Sequence, residues 1–305
     1  MSDASSDPLA EIVTLLQPAA RFSKFVEGSG AWRMRREAMA EPFYCAVLDG
    51  NCRVTFGSGE AIALAAGDFV LAPAVYDMTI ESSDAPPELA VSGPLQLGPG
   101  RFRLGDAEGA VTLRMRVGHC VFGAPDAGLL VPLLPDVVVV RAEPRLGILM
   151  QLVGDETQSH RPARDLVLER LLEVLLIEAL RCGRATASAG QGLAAGLADE
   201  RTAAALHAFH AQPHAGWTVA DLAAEAALSR SAFFARFTRI VGLAPMEYVL
   251  RWRMAVAKRL LEDRDLGLDA VAERVGYGSA SAFSVAFTRH LGVPPARYRT
   301  ARKAG

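Results

Sequence analysis

Hydrophobic and polar positions change their period once along the chain. From about Phe22 to Val140 the apolar residues come in short β-rich runs, YCAVL, CRVTF, DFVLA, VTLRMRV and VVVVRA, separated by Gly, Pro and Asp. Runs of that length between turn residues predict the strands of a sandwich or small barrel. From Pro144 the spacing becomes helical: PRLGILMQLVGDE and RDLVLERLLEVLLIEALRC set leucines three and four residues apart. Two helices are therefore expected to close a first domain, residues 1–182. GRATASAGQGLAAG, residues 183–196, is rich in Gly, Ala and Ser and reads as a flexible connection to an all-helical domain, residues 197–305.

Within the last third the pattern is written twice. SRSAFFARFTRIVGLAPMEY from Ser229 and SASAFSVAFTRHLGVPPARY from Ser279 agree at ten of twenty positions, at an offset of 50 residues. In the first copy Thr218 caps the helix VADLAAEAAL and Trp217 is placed to staple its entry. A tight break follows at Leu228, and Ser229 caps a second helix. Its stripe of Phe233, Phe237, Ile240 and Val241 ends at Gly242, suited to the left-handed stop. The second copy repeats the parts: LDAVAERV, a Gly-Tyr-Gly turn, a cap at Ser279, the stripe Phe283, Phe287 and Leu291, and a stop at Gly292. Each is a helix-turn-helix. PMEYVLRWRMAVAKRLLED, with Pro245 suited to a first turn and Met246, Val249, Trp252 or Arg253, Val256 and Leu260 at helical spacing, predicts one helix joining them.

With Phe233 inward and about 100° per residue, the far side of the first second-position helix carries Ser231, Ala235, Thr238 and Arg239. The far side of its counterpart carries Ser281, Val285, Thr288 and Arg289. Two such helices about one DNA turn apart, roughly 34 Å, enter successive major grooves on one face of a duplex. Charge agrees in sign: from Asp199 onward fifteen Lys/Arg stand against ten Asp/Glu, a net of +5, with −7 upstream. No apolar run of about 18 residues predicts a membrane span. The first residues lack the basic start and apolar core of an export signal, so a cytoplasmic protein is expected. Four cysteines without a CxxC pair predict neither a disulfide framework nor a zinc site.

Residues from about 200 to 300 resemble the paired helix-turn-helix domain of AraC/XylS-type transcription regulators. The match is carried by WTVADLAAEAALSRSAFFARF, the joining helix, and AVAERVGYGSASAFSVAFTRHLGVPPARYR. The resemblance implies a transcription regulator or activator that binds double-stranded promoter DNA and works beside RNA polymerase. It places the base-facing residues on Ser231, Phe234 and Ala235, and on Ser281, Ser284 and Val285. Where relatives often carry long polar side chains, these offer hydroxyl and thymine-methyl contacts. Phosphate contacts fall to Arg230, Arg236, Arg239 and Arg289, with Arg297, Arg299 and Arg302 in the tail.

The first half resembles the cupin-like sensor arm of one subgroup of these regulators, through FYCAVLDGNCRV, ALAAGDFVLAPA, LLVPLLPDVVVV and RLLEVLLIEALRCG. The expected fold class is thus α+β, a cupin-like β-barrel with two C-terminal helices followed by the paired helix-turn-helix domain. Enzymatic cupins hold a metal through clustered histidines and a carboxylate. Here no histidine precedes His119, which stands alone, and His160 lies in an inter-helix loop, so no metal, cofactor or catalytic residue is expected. A metal-dependent cupin enzyme fused to a helical interaction module is the alternative; salt-dependent DNA binding separates the two.

The effector is left open between a small molecule and an oxidant. A two-residue turn at Asp49-Gly50 would place Val47 opposite Cys52 and Cys45 opposite Val54, with the two cysteines on one face, diagonal neighbours roughly 7–8 Å apart. Cys45, Cys52 and Cys120 are then either buried apolar residues or redox sensors, the latter implied by relatives that respond to oxidants. Trp32, Phe43, Tyr44 and Tyr76 could line a cavity or fill a core. The helix from about Asp165 to Cys182 carries more apolar residues than one face requires. It either pairs subunits into a homodimer or packs wholly on its own domain.

Overall fold

The computed structural model describes residues 7–123, 130–159, 161–186, 191–263 and 265–301. It contains two compact units. In the β unit, strands β1 (Pro18–Ser29), β2 (Arg33–Asp49), β3 (Asn51–Phe56), β4 (Ile62–Ala65), β5 (Phe69–Ser82), β6 (Leu95–Gly98), β7 (Arg101–Gly105), β8 (Leu113–Phe122) and β9 (Val138–Val140) form one sheet. The order is β4-β3-β5-β2-β8-β1-β7-β6, with β9 on β5. The sheet wraps around a core that takes Val26 from β1, Phe43 and Cys45 from β2, Val54 from β3, Ile80 from β5 and Met115 from β8. Alternation every second residue is what lets each strand face this core with one side and its surroundings with the other.

The long β2 bends through register shifts around Met39–Phe43, where extra residues oppose Val75 on β5. Gly50, at φ 78°, turns the chain after β2. The expected β2–β3 hairpin pairing does not form: β5 lies between the two strands. Glu81 on β5 holds Arg33 of β2 at 2.6 Å and Arg53 of β3 at 2.9 Å, tying both neighbours to the central strand. Cys45 therefore faces Val70 and Val117 in register, and Cys52 faces Leu64 and Ser82.

Helices α2 (Pro144–Gln158) and α3 (Arg164–Thr186) follow the sheet as the leucine spacing predicts. Leu168, Leu172, Leu175, Leu176, Ala179 and Leu180 of α3 are buried.

The helical unit holds α4 (Leu193–Ala198), α5 (Glu200–Ala211), α6 (Val219–Glu225), α7 (Arg230–Val241), α8 (Pro245–Leu260), α9 (Leu268–Arg274), α10 (Ala280–Leu291) and α11 (Pro295–Ala301). The stretch expected to be a flexible connection is in part helical. Helix α3 runs past Cys182 to Thr186, and α4 forms within the supposed linker because Leu193 and Leu197, four residues apart, bury one face. The N-terminal helix α1 (Pro8–Leu16), expected to belong to the first domain, is part of this unit instead. Its Leu9, Ile12, Val13 and Leu16 are buried. Glu11 accepts from His210 Nδ1 at 3.1 Å, and His210 Nε2 meets the Tyr248 hydroxyl at 2.7 Å.

Candidate nucleic-acid interface

The two helix-turn-helix copies are built by the same local chemistry. Helices α7 and α10 each have twelve residues. Ser229 and Ser279 accept the amides of Ala232 and Ala282 at 3.3 and 3.1 Å, satisfying one orphan donor at each start. Gly242 and Gly292 end them at φ 83° and 75°, the left-handed stop that a Cβ would oppose. Phe233 and Phe237 in one, Phe283 and Phe287 in the other, pack as tilted rings with centroids 5.4 Å apart in both pairs. Burying each ring is worth roughly 1.5–3 kcal/mol, which fixes the rotation of each helix and so decides which residues face outward.

The joining helix α8 serves both cores from two sides. Tyr248 and Trp252 pack with Phe209, His210 and Phe237 on the side of the first copy. Met254 and Ala257 enter the cluster of Val271, Phe283 and Phe287 on the side of the second. The predicted stripe is offset from this: Met246 is exposed, and Val256 and Leu260 are only half-buried.

Outward on α7 stand Arg230, Ser231, Phe234, Ala235 and Arg239; outward on α10 stand Ser281, Val285 and Arg289, with Ser284 half-buried. Phe234 and Val285 are 45% and 67% exposed, apolar side chains that the fold leaves in water. The threonines differ from the rotation estimate. Thr238 and Thr288 are half-buried; the Thr238 hydroxyl oxygen is buried, and that of Thr288 donates to the Ser284 carbonyl at 2.7 Å. A real helix turned by two buried phenylalanines tips these positions toward the core edge, and Phe234 comes outward instead.

Arg236 is also committed within the fold. Its Nε donates to Asp199 at 2.9 Å and its Nη2 to the second oxygen of the same carboxylate, a bidentate pair. Asp199 also caps α5, accepting from the Thr202 amide at 3.0 Å. The Arg236 guanidinium, with the cap bonds, brings the Asp199 carboxyl down to about 2. The sequence gives no local sign of this pair, because its partners stand 37 residues apart. In the tail, Arg299 donates to the Leu266 carbonyl at 2.8 Å, Arg297 is exposed, and Arg302 lies outside the described residues.

In the β unit a cavity of about 300 Å³ opens among inward residues of β1, β2, β5, β7 and β8, beside the segment Val91–Pro94. Of the four aromatic candidates, Phe43 lines it and Trp32 is packed in the core. Tyr44 faces Cys120, Leu172 and Leu175 elsewhere, and the Tyr76 side chain lies outside the described residues.

The cysteines sit in protein rather than at the surface. Burial pushes the Cys45 thiol well up, and burial, reinforced by Asp68, pushes Cys52 up to about 12. Burial likewise pushes Cys120 up to about 12. Cys182 is half-buried and also raised, by burial first and then by Glu143 and Glu178. His119 accepts from Arg36 Nη1 at 2.7 Å, and His160 lies outside the described residues. Among the described residues no group of three His, Cys, Asp or Glu could hold a metal, and no helix is long and apolar enough to cross a membrane.

Residues 7–183 match the cupin family and residues 222–301 a helix-turn-helix domain family. The chain is 37% identical over 300 residues to a putative AraC-like transcription regulator of Streptomyces lividans, covering 96% of this chain and 98% of that one. It is 28% identical to the HTH-type transcriptional regulator AlkR of Acinetobacter baylyi, over 90% of this chain and 93% of that protein. A solved structure of the DNA-binding domain of AdpA, the global transcriptional factor, in complex with a target DNA is 37% identical. It covers 35% of this chain and 95% of that one at a TM-score of 0.32.

Proposed function

The chain belongs to the AraC-like transcription regulators with an N-terminal cupin domain, and from that premise we propose that a small molecule bound in the β unit controls how the helical unit binds promoter DNA. The regulator is a sequence-specific DNA-binding protein of AraC type; an enzyme reading is not favoured. The control step is the proposal, and the cavity of about 300 Å³ inside the β unit carries it. Oxidant sensing has less support, because a thiolate is the reactive form and all three barrel thiols are held protonated by burial.

On the DNA side, Ser231, Phe234, Ala235, Ser281, Ser284 and Val285 read base edges, with thymine methyls the natural partners of Phe234 and Val285. Arg230, Arg239 and Arg289 hold phosphate, with Arg297 in support. Arg236 positions α7 through Asp199. Thr238 and Thr288 act within their own helices.

Two copies pair through the outward faces of α2 and α3, where Ile148, Leu152, Leu166, Val167 and Val174 are exposed. Bound to promoter DNA in the cytoplasm, the dimer meets RNA polymerase. Val174→Glu combined with Ile148→Glu is expected to give a monomeric mass by sedimentation; a wild-type monomer at high micromolar concentration would count against pairing.

The test of control uses the full chain. Duplex sites are selected from a random pool, and their affinity is measured for dialysed protein, with a low-mass cell-extract fraction, and with oxidant. The extract is expected to shift the affinity, and oxidant to leave it unchanged. An oxidant-driven shift abolished by Cys45→Ser and Cys52→Ser would overturn the small-molecule reading.

A further inference from the structure

Helix α8 joins the two helix-turn-helix copies, and one of its side chains reaches toward both. Trp252 packs on the side of the first copy and Met254 on the side of the second. Arg253 stands between them in sequence and is half-buried. Its Nε donates to the Pro213 carbonyl at 2.9 Å and its Nη2 to the Ala215 carbonyl at 2.5 Å. Both acceptors lie in the connection from α5 to α6, the entry to the first copy. That connection is held by bonds of its own: the Ala215 amide donates to the Gln212 carbonyl at 3.0 Å, and Trp217 Nε1 donates to the same oxygen at 2.8 Å. A guanidinium suits two such acceptors, because its donors form a planar fork of fixed geometry where an ammonium is a point charge.

The second copy closes on the same place. Gly276, in the turn between α9 and α10, comes so near that a Cβ there would lie 2.5 Å from the His214 carbonyl oxygen and 2.8 Å from Arg253 Nη2. Tyr277 follows it in the turn. Burial lowers Arg253 and raises Tyr277, and each group then draws the other back toward its ordinary value. The Tyr277 ring in turn lies against Phe283 of α10, with centroids 5.8 Å apart. A continuous path thus runs from the entry of the first copy, through Arg253 and the Gly276-Tyr277 turn, to the ring that sets the rotation of α10.

We propose that Arg253 is a positioning residue that locks the two helix-turn-helix copies in one relative orientation, and so selects the spacing between the two halves of the DNA site. This rests on the reading that α7 and α10 enter one duplex. The apolar packing of Met254 and Ala257 against the second copy is non-directional, whereas two donors on two fixed carbonyls specify an angle. Two readers held in one register bind together only where the halves are spaced to match, since avidity is lost when geometry forbids both contacts. One added base pair moves a half by about 3.4 Å along the duplex and about 35° around it.

The test takes the full-length chain and a duplex selected from a random pool, together with versions in which one base pair is added between the two halves or either half is scrambled. For wild type, the added pair is expected to weaken binding at least about tenfold, toward the affinity of a half-scrambled duplex. For Arg253→Leu, affinity for the half-scrambled duplexes should be unchanged and affinity for the selected duplex should fall about three- to tenfold, while the penalty for an added pair shrinks to less than about threefold. Arg253→Lys should lie between. Unchanged half-site affinity shows that a variant is folded; should Arg253→Leu lose it, Arg253→Lys, which keeps a long stem and the charge, is judged by the same criterion. A spacing penalty in a folded variant equal to that of wild type overturns the proposal. Loss of half-site binding in both variants also overturns it, because Arg253 would then be needed for folding itself. If scrambling one half leaves wild-type affinity untouched, a single recognition helix reads the DNA, and the two-helix reading falls together with the proposal.

Discussion

Phe233 and Phe283 stand fifty residues apart and do the same work, yet the surroundings of the two recognition helices differ. The first helix is braced: Arg236 is tied to Asp199, and behind it Phe209, His210, Tyr248 and Trp252 form an aromatic cluster that also receives Glu11 of α1. The second is backed by the aliphatic Met254, Ala257, Leu261 and Val271, with Tyr277 and Tyr298 against its two phenylalanine rings. Its place in the turn is eased by glycine. The backbone bond from Leu228 to Ala223 in the first copy corresponds to that from Tyr277 to Ala272 in the second. That offset is 49 residues, against 50 for the recognition helices, so the second turn is one residue longer, at Gly278. The repeated residues include those that set rotation and ends, together with Ser231/Ser281 and Arg239/Arg289 on the outward faces; several other outward positions and the supports differ. Arg230 has Ala280 as its counterpart, and Phe234 has Ser284.

If the phenylalanines are equivalent, Phe233→Ala and Phe283→Ala should each cost about 3–5 kcal/mol in chemical unfolding, and a much smaller cost in one copy would break the equivalence. The turns should respond in opposite directions. Gly276 is at φ 79°, and a Cβ there would lie 2.5 Å from the His214 carbonyl oxygen. Gly276→Ala should therefore cost about 1–2 kcal/mol or more. Ala227 already carries a side chain at φ 51°, so Ala227→Gly should be neutral or stabilise by up to about 1 kcal/mol. Thermal unfolding of both variants checks the pair.

Only the first copy should show an acid-sensitive brace. The folded Asp199 carboxyl sits at about 2, below its ordinary 3.8. A depressed carboxyl contributes stability that is fully present above the unfolded value and is lost as pH falls through the folded one. The contribution should thus fade between about pH 4 and pH 2, and Asp199→Asn should remove that part of the acid profile while costing up to about 1 kcal/mol at neutral pH through the weakened Arg236 pair, because the amide oxygen keeps the cap. An unchanged acid profile would mean that the pair does not brace α7 in solution. The smallest effect concerns bases: replacing a contacted thymine by deoxyuridine opposite Val285 should weaken binding about fourfold, the worth of one buried methyl. Val285→Ala should abolish that difference.

The repeat was legible because buried phenylalanines, serine caps and glycine stops are all local signals. The two leucines of α4 carried a readable four-residue spacing too, hidden in a Gly- and Ala-rich stretch. Other features had no local signal. An amphipathic α1 says that it must dock, but not on which unit. The Asp49-Gly50 turn suggests a hairpin, and only the competition of β5 for both strands shows why the pairing is not made. The reach of Arg236 to Asp199, across 37 residues, depends on how two helices pack, which neither segment records.

The central claim is that both recognition helices touch the same duplex and that the exposed arginines at their ends hold phosphate. It is tested most directly by the salt dependence of full-length binding to a selected duplex, for wild type, Arg239→Ala, Arg289→Ala and the double variant. Log affinity should fall linearly with log salt, each single variant should lower the slope by about one contact, and the double variant by about two, without a change in base preference. A slope that either arginine leaves unaltered, or an altered base preference at constant slope, would contradict the account.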